Sequence, residues 1–227
     1  MADQLTWKDN GVPVSTVFDD VYFGAEDGIG ETTHIFLGGN NLPARGLEGS
    51  EPFHVYELGF GTGLNFLVLW QAWEKSGCTR PLRFTSVEKY PISHADMMKA
   101  HSHWPSLATY SKHLLDAYKS VEGKGMHVLR LGGVELCLAV GDVRKMLFEQ
   151  DEAVDAFFMD GFSPAKNPDM WQPDIYAEMA RLSRKGTTLA TFTAAGHVRR
   201  GLQEVGFDIS KAAGYGRKRE TITGVFK

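Results

Sequence analysis

From residue 53 onward, short runs of apolar residues alternate with longer segments in which apolar residues recur at helical spacing. The runs FHVYEL and VDAFFMDGF predict buried strands, whereas LNFLVLWQAWEKSG and DIYAEMARLSRKG predict helices that end at a glycine. Such alternation is typical of a mostly parallel sheet that carries helices on both faces. The sequence therefore predicts an α/β fold built on a mostly parallel sheet.

Two segments depart from this alternation and predict antiparallel pairing. HVLRL and VELCLAV are joined by Gly132 and Gly133, which is the strongest hairpin signal in the chain. The final segment, FDISKAAGYGRKRETITGVFK, predicts two strands around a basic turn. Because no helix separates these two strands, we expect an antiparallel terminal strand in the sheet.

The first 52 residues are rich in turns. Extended pieces such as VPVSTVFDDVYF and THIFLGGN are separated by EDGIGE, which predicts a hairpin layer. We expect a small β-rich extension over residues 1–52 that packs on a main domain over residues 53–227.

Composition narrows the class of protein. The chain has 227 residues, 43% hydrophobic and 23% charged, which suits a globular protein of enzyme size. Its apolar runs fall short of the roughly 18 residues that a membrane helix needs, and its N-terminus lacks the pattern of a signal peptide. We expect a soluble, cytoplasmic protein. Two cysteines, Cys78 and Cys137, exclude a disulfide framework, and His101 and His103 lack partners for a metal site, so we expect no metal.

Charge is distributed unevenly along the chain. The formal net charge is −4, but residues 181–227 carry ten basic and three acidic residues, so this part is +7 and the preceding part is −11. Opposite signs allow a local basic face for a polyanion on an otherwise acidic protein. The alternative is a set of merely solvated charges.

A glycine loop, ELGFGTGLNF, follows the first strand of the main domain. Gly59, Gly61 and Gly63 permit a tight turn and a close approach of the backbone to a ligand at the start of a helix. A dinucleotide fingerprint would have glycine or alanine where Leu64 stands, and Glu57 would repel a pyrophosphate. The pattern therefore favours S-adenosylmethionine, whose sulfonium is cationic, over NAD.

Two further acids follow predicted strands. Glu88 lies about 25 residues beyond the glycines and suits both ribose hydroxyls, while Asp142 suits an adenine amino group. Each acid alone is as well explained by solvation or helix capping. We assign Glu57, the three glycines, Glu88 and Asp142 to one cofactor site. Their neighbours Phe60, Asn65, Lys89 and Val143 are assigned to the same site.

The segment MDGFSPAKNPDMW supplies a further acid at a strand end. We expect Asp160 to lie beside the glycine loop, where a proton acceptor or amine-orienting carboxylate is needed. Phe162 and Trp171 are candidate stacking walls for a base, and core packing is the alternative for both. A proline-stiffened connection capped by Asp160 would explain the segment without a function.

These residues also carry a resemblance. The segments VYELGFGTGLNFL, FFMDGFSPAKNPDMW, LATFTAAGHVRRGLQEVGF and GYGRKRE resemble the methyltransferase half of the bacterial bifunctional tRNA wobble-uridine enzymes of the MnmC family, and their stand-alone, MnmD-like relatives. The opening segment FDDVYFGAEDGIGETTHIFLGGNNL resembles that family as well, so the likeness covers nearly the whole chain.

The resemblance implies a class I S-adenosylmethionine-dependent methyltransferase with a Rossmann-like, mostly parallel sheet of seven strands. Its expected reaction is methylation of the 5-aminomethyl group of uridine 34 in tRNA, which gives 5-methylaminomethyl-uridine, often 2-thiolated. It also implies that Tyr22 and Asp20 close over the cofactor. The chain ends at Lys227, without room for a flavin-dependent oxidase half, so we expect another enzyme to make the aminomethyl group unless the chain is an excised domain.

Asp160 is then the expected catalytic residue, and a basic cluster near the C-terminus is expected to contact the anticodon region of tRNA. The residues assigned to tRNA besides Phe162 and Trp171 are Lys166, Arg199, Arg200, Arg217, Lys218 and Arg219. Two alternatives remain open: an amine N-methyltransferase acting on a small molecule or protein, and a cofactor- or RNA-binding protein without turnover.

Overall fold

The computed structural model of the protein describes residues 5–24, 27–216 and 218–227. Near the N-terminus, three short strands form an antiparallel sheet: β1 (Leu5–Trp7), β2 (Pro13–Ser15) and β3 (Asp20–Val21). Within the described residues, a second sheet has eight strands. They are β4 (Phe53–Leu58), β5 (Leu82–Glu88), β6 (Gly125–Leu131), β7 (Val134–Val140), β8 (Val154–Met159), β9 (Ser183–Thr191), β10 (Phe207–Ala213) and β11 (Glu220–Phe226).

Seven α-helices accompany these strands in the described ranges. They are α1 (Gly28–Thr32), α2 (Leu64–Lys75), α3 (His94–His101), α4 (Ala108–Tyr118), α5 (Val143–Phe148), α6 (Pro173–Leu182) and α7 (Gly196–Glu204). A π-helical turn over Thr33–Gly38 continues α1, and 3-10 turns cover Ala44–Leu47, Pro105–Leu107 and Pro168–Trp171. None of the helices in these ranges has the length and apolar character that a membrane crossing requires.

The large sheet has the order β10-β11-β9-β8-β4-β5-β7-β6. Its five central strands, from β9 to β7, are parallel, whereas β6, β10 and β11 are antiparallel to their neighbours. The predicted mostly parallel sheet with an antiparallel terminal strand is confirmed. The predicted hairpin is confirmed as well, with Leu131 paired to Val134. Because β6 adds an edge to β7, the sheet has eight strands instead of the seven predicted.

The central strands are buried on both faces, which explains their unbroken apolar runs. On β8, Phe158 belongs to the core under α2 and α4, and Phe157 belongs to the core under α5, α6 and α7. Both phenylalanines are fully buried. Successive side chains of a strand point to opposite faces, so every residue of such a strand must be apolar or internally satisfied.

The N-terminal region differs from the prediction at THIFLGGN, which is helical and not extended. Ile35, Phe36 and Leu37 are all buried, and a helix can direct three consecutive side chains into one core where a surface strand would expose the middle one. Gly39 lets this segment lie against the sheet, since a Cβ there would lie 2.7 Å from that of Ala190. The division of the chain at residue 52 stays a prediction.

The strand order reverses between β4 and β8, because successive strands are added first on one side of β4 and then on the other. The chain passes from β4 to β5 and β7 on one side and later returns to β8 and β9 on the other. In such sheets, ligands bind outside the carboxyl ends of the strands at this point. Gly59 follows β4 and Asp160 follows β8, and the Asp160 amide donates a hydrogen bond to the Leu58 carbonyl at 3.1 Å.

Gly59 is required by this close approach. Its φ is +100°, and a Cβ would lie 2.6 Å from the carbonyl oxygen of Asp160. We predict that Gly59→Ala lowers the free energy of unfolding by about 2–5 kcal/mol, since backbone strain and overpacking add. Gly77→Ala is the control, because Gly77 has φ +72° but open space around it, and should cost only about 1–2 kcal/mol. Equal losses in chemical denaturation would contradict the role of the Asp160 contact.

Candidate active site

A cavity of about 650 Å³ lies at the carboxyl ends of the central strands. The glycine loop and the ends of β5, β7 and β8 form its floor and one side. The opening segment of the chain and the turn between β10 and β11 form the other side. Residues far apart in the sequence therefore meet at the predicted edge of the sheet.

Glu88 holds the glycine loop in place. One of its carboxylate oxygens accepts a hydrogen bond from the Gly61 amide at 2.9 Å, and the other accepts from the Tyr90 amide at 2.8 Å. Gly59, Gly61 and Gly63 all have positive φ. The ring of Tyr22 lies 3.1 Å from the place of a Cβ on Gly61, so a side chain there would press against this wall of the cavity.

Glu57 lies behind the cavity wall. Its carboxylate accepts hydrogen bonds from Asn65 Nδ2 at 2.8 Å and from Ser86 Oγ at 2.6 Å. Burial raises the pKa of Glu57 well above its usual range. The side chain is 1% exposed and supports Asn65 from beneath instead of facing the cavity.

Asn65 connects this buried acid to Asp160. Its Nδ2 donates to Asp160 Oδ2 at 2.6 Å as well as to Glu57, while its Oδ1 accepts from Thr32 Oγ1 at 2.8 Å. The Thr32 hydroxyl thus fixes the orientation of the amide, because only the NH2 side can serve two carboxylates. The Asn65 side chain therefore links α2 to the ends of β4 and β8 and to α1.

Asp160 is half-buried on the cavity wall. Burial raises the pKa of its carboxyl group to about 7; the Asn65 hydrogen bond and Lys218 oppose this shift, and Glu31 adds to it. A carboxyl group with this pKa exchanges a proton near neutral pH, which is the property that proton transfer requires.

Asp142 and Lys89 form the wall beyond Glu88. Asp142 caps α5 by accepting a hydrogen bond from the Arg144 amide at 3.1 Å, and it pairs with Lys89 Nζ at 3.1 Å. Both side chains are partly exposed in the cavity.

Most residues assigned to the cofactor from the sequence line this cavity. Those that do are Tyr22, Gly59, Phe60, Gly61, Asn65, Glu88, Lys89, Asp142, Val143 and Asp160. Gly63 lies outside the lining and, with φ +75°, precedes the first residue of α2. Asp20 also lines the cavity, where it accepts a hydrogen bond from the Ser163 amide at 3.1 Å.

The two candidate stacking residues lie in different environments. Phe162 lines the cavity, and its ring centroid lies 4.9 Å from that of Phe18 and 5.1 Å from that of Tyr22. Trp171 is buried against Phe192, and its Nε1 donates to the Phe162 carbonyl at 2.9 Å. Trp171 therefore holds the loop that carries Phe162 and lies outside the cavity lining.

Of the described basic residues predicted to contact tRNA, one lines the cavity and the others lie outside its lining. Lys218 lines its mouth. Lys166 lies outside and pairs with Asp19 at 3.3 Å. Arg200 and Arg219 are exposed outside the lining.

Arg199 is the half-buried member of this set. It lies on α7, and its Nε is buried without a hydrogen-bond partner in the described part of the chain. Arg217 lies outside the described residues.

Several residues of the cavity escaped the sequence analysis, among them Asp27, Glu31, Thr32 and Tyr215. Tyr215 donates to Asp27 Oδ2 at 2.5 Å, and Lys218 pairs with Glu31 Oε1 at 2.6 Å. For Asp27, Glu31 and Thr32, the only local sign of a site was the acidic and glycine residues of EDGIGET, and these are equally typical of a turn. Asp27 and Glu31 are 188 and 187 residues from their partners Tyr215 and Lys218, beyond any local pattern.

In the described ranges, no three His, Cys, Asp or Glu side chains lie close enough together to bind a metal ion. His101 is buried and bonds Ser111 Oγ at 2.7 Å and the Thr62 carbonyl at 2.8 Å. It links α3 and α4 to the glycine loop.

The residues present fit S-adenosylmethionine. Gly59 and Gly61 line the cavity, the Glu88 carboxylate is held by two backbone amides, and Asp160 provides an acid at the sheet reversal. A nucleoside with vicinal hydroxyls and a cationic sulfonium matches these acceptors. The fold and the site together define a Rossmann-like methyltransferase.

Comparison with known proteins identifies the family. A family profile described as S-adenosyl-L-methionine-dependent methyltransferase matches residues 105–227, more than half of the chain, and the protein belongs to this family. Its cofactor is S-adenosyl-L-methionine.

Two relatives extend this result. The chain is 48% identical over 225 residues to the tRNA 5-methylaminomethyl-2-thiouridine biosynthesis bifunctional protein MnmC of Stutzerimonas stutzeri strain A1501, covering 97% of this chain and 34% of that protein. The chain thus spans about a third of that relative's length. The crystal structure of MnmC2 from Aquifex aeolicus matches with a TM-score of 0.78 at 22% identity, covering 100% of this chain and 71% of that one, and supports the fold.

We predict that Asn65→Ala raises the pKa of Asp160 above about 7. The Asn65 hydrogen bond stabilises the ionised carboxylate, and the substitution removes it. NMR titration of the Asp160 carboxyl carbon measures the shift. Thr32→Val, which keeps the side-chain shape but cannot orient the amide, should shift the same pKa in the same direction by less. An unchanged pKa in Asn65→Ala would contradict the role of this amide.

Proposed function

We propose that the protein transfers the methyl group of S-adenosylmethionine to the 5-aminomethyl group of the wobble uridine, U34, in tRNA, giving 5-methylaminomethyl-(2-thio)uridine. The observation that carries this proposal is Asp160, a carboxyl group with a pKa of about 7 on the wall of a large cavity beside an aromatic side chain, Phe162. The relative that is 48% identical takes its name from the biosynthesis of this nucleoside.

Asp160 suits the chemistry of an amine. When bound, S-adenosylmethionine supplies a methyl group on a positively charged sulfur. An aliphatic ammonium has no lone pair, so the substrate nitrogen must lose a proton before it can form a bond to carbon. As the N–C bond forms, the electron pair of the S–C bond remains with sulfur. Asp160 can orient the amine and accept a proton from it.

Phe162 provides a surface for the uracil ring. A base in the anticodon loop has to leave its stack before an enzyme can reach its substituents, and aromatic side chains stabilise such extruded bases. Phe18 and Tyr22 fix the ring from behind and from the edge, at 4.9 and 5.1 Å between centroids. We propose that Phe162 stacks on the uridine while Trp171 holds its loop.

The basic residues around the mouth suit RNA phosphates. Arg199 and Arg200 lie on α7, and Arg219 precedes β11, in the part of the chain with a net charge of +7. Phosphate contacts of this kind supply affinity and register and do not read the base. We propose that these residues and Arg217 contact the anticodon region.

The substrate has to be produced by a separate reaction. An enzyme that generates the aminomethyl group on uridine must act before this one, and we propose it as a functional partner. We propose that the protein acts in the cytoplasm, because it has to meet both tRNA and that enzyme.

We predict that Asp160→Ala binds S-adenosylmethionine within about threefold of the wild-type affinity but loses at least about 100-fold in methyl transfer, since general acid–base catalysis supplies at least that factor. Calorimetry measures the first quantity and a labelled methyl donor the second. Trp171→Phe, which conserves the packed ring, is the control and should keep more of its activity. Full activity of Asp160→Ala would refute the role of this residue.

The reaction itself is tested by incubating tRNA that carries aminomethyl-uridine with labelled cofactor, followed by nucleoside analysis. We expect label in 5-methylaminomethyl-uridine at position 34. Methylation of free small amines but not of tRNA would favour the small-molecule alternative. Cofactor and RNA binding without any product would favour a binding protein.

We predict that Arg217→Ala combined with Arg219→Ala weakens tRNA binding and reduces the slope of log K against log salt by about 1–2, because fewer counterions are released. The matched control is Lys119→Ala with Arg130→Ala, which removes the same charge from residues that are 61% and 81% exposed on or near the opposite edge of the sheet. An equal slope in both double variants would exclude the basic turn from the RNA site.

A further inference from the structure

One ion pair crosses the mouth of the cavity. Glu31, on α1, and Lys218, in the turn between β10 and β11, lie 2.6 Å apart although they are separated by 187 residues. Both side chains line the cavity, and their exposed fractions are 22% and 46%. The pair therefore joins the two chain segments that close this side of the site.

The ammonium group of Lys218 also meets an aromatic face. Its Nζ lies 4.7 Å from the centroid of the Phe192 ring, within the range of a cation–π contact. Phe192 lines the same cavity and is packed against Trp171. A carboxylate on one side and an aromatic ring on the other form a small site for a primary ammonium group.

This ammonium site is electrostatically coupled to Asp160. The negative charge of Glu31 raises the pKa of Asp160, and the positive charge of Lys218 lowers it. Glu31, Phe192, Lys218 and Asp160 all line the same cavity.

The substrate proposed above carries the same functional group as Lys218. A primary aliphatic amine, like that of lysine, is protonated at neutral pH, so it reaches the site as an ammonium. Moving that charge into a partly desolvated cavity is costly unless a carboxylate pairs with it. Glu31 is such a carboxylate, already held in a geometry that binds a primary ammonium.

On the basis of the proposed function, we propose that Glu31 and Phe192 receive the aminomethyl ammonium of the substrate, and that Lys218 occupies their site until RNA draws it to a phosphate. The substrate ammonium then passes to Asp160, which accepts its proton. Lys218 is suited to the exchange because its stem is flexible and its neighbours Arg217 and Arg219 belong to the same basic turn. RNA binding and opening of the amine site are coupled in this way.

The test compares two ways of breaking the pair. Affinity is measured for two tRNAs that differ only in having aminomethyl-uridine or unmodified uridine at position 34, with S-adenosylhomocysteine present to prevent turnover. The ratio of the two dissociation constants at pH 7 reports recognition of the amine alone. In the wild-type protein the aminomethyl tRNA should bind more tightly.

Glu31→Gln should reduce this ratio by about tenfold, as expected for loss of a charged hydrogen-bond partner. Glu31→Asp should restore part of it. Lys218→Met should keep the ratio while weakening both tRNAs and lowering the salt slope by about 1. If the pair is only a clasp between two segments, Glu31→Gln and Lys218→Met will have the same effect, and the proposal is overturned.

Two controls separate the possible failures. Glu122→Gln removes an exposed carboxylate outside the cavity and should leave the ratio unchanged, and melting temperatures exclude general unfolding. A wild-type protein that neither prefers nor methylates the aminomethyl tRNA would overturn the proposed function and this inference together. A wild-type protein that does both, with an unchanged ratio in Glu31→Gln, would overturn this inference alone.

Discussion

The site depends on the hydrogen bonds of one amide, that of Asn65. Its NH2 group serves two carboxylates, Glu57 at 2.8 Å and Asp160 at 2.6 Å, and its oxygen is held by Thr32 at 2.8 Å. Two acids that close would repel each other if both were ionised, and burial without a donor would be costly. The amide makes the arrangement possible and leaves Asp160 with a pKa of about 7.

The cavity has two sides of different construction. The side proposed for the cofactor is built from strand ends of a rigid parallel sheet, with Glu88 held by two backbone amides. The side proposed for the substrate is built from two segments near the ends of the chain, joined by Tyr215 with Asp27 and by Lys218 with Glu31. An exposed ion pair such as that of Lys218 with Glu31 is worth little individually, so the second side can rearrange at small cost.

The basic part of the chain serves the fold as well as the proposed RNA contacts. Lys211 pairs with Glu220 at 2.7 Å across the terminal hairpin, and Arg184 pairs with the buried Asp155 at the opposite end of β8 from Asp160. A net charge counted along the sequence therefore overstates the charge that a polyanion would meet. Arg200 and Arg219, which are exposed, remain the better candidates for that contact.

The sequence by itself determined the alternation of strands and helices, the two antiparallel hairpins and the acids at the strand ends, because these depend on local periodicity and turn chemistry. It failed at THIFLGGN, where burial of Ile35, Phe36 and Leu37 selects a helix. Only the tertiary structure moved Glu57 behind Asn65, placed Trp171 in the core and brought Glu31 to Lys218. Glu31 and Lys218 are 187 residues apart, and the burial of Glu57 and Trp171 depends on the elements that pack around them, so no local pattern encodes these placements.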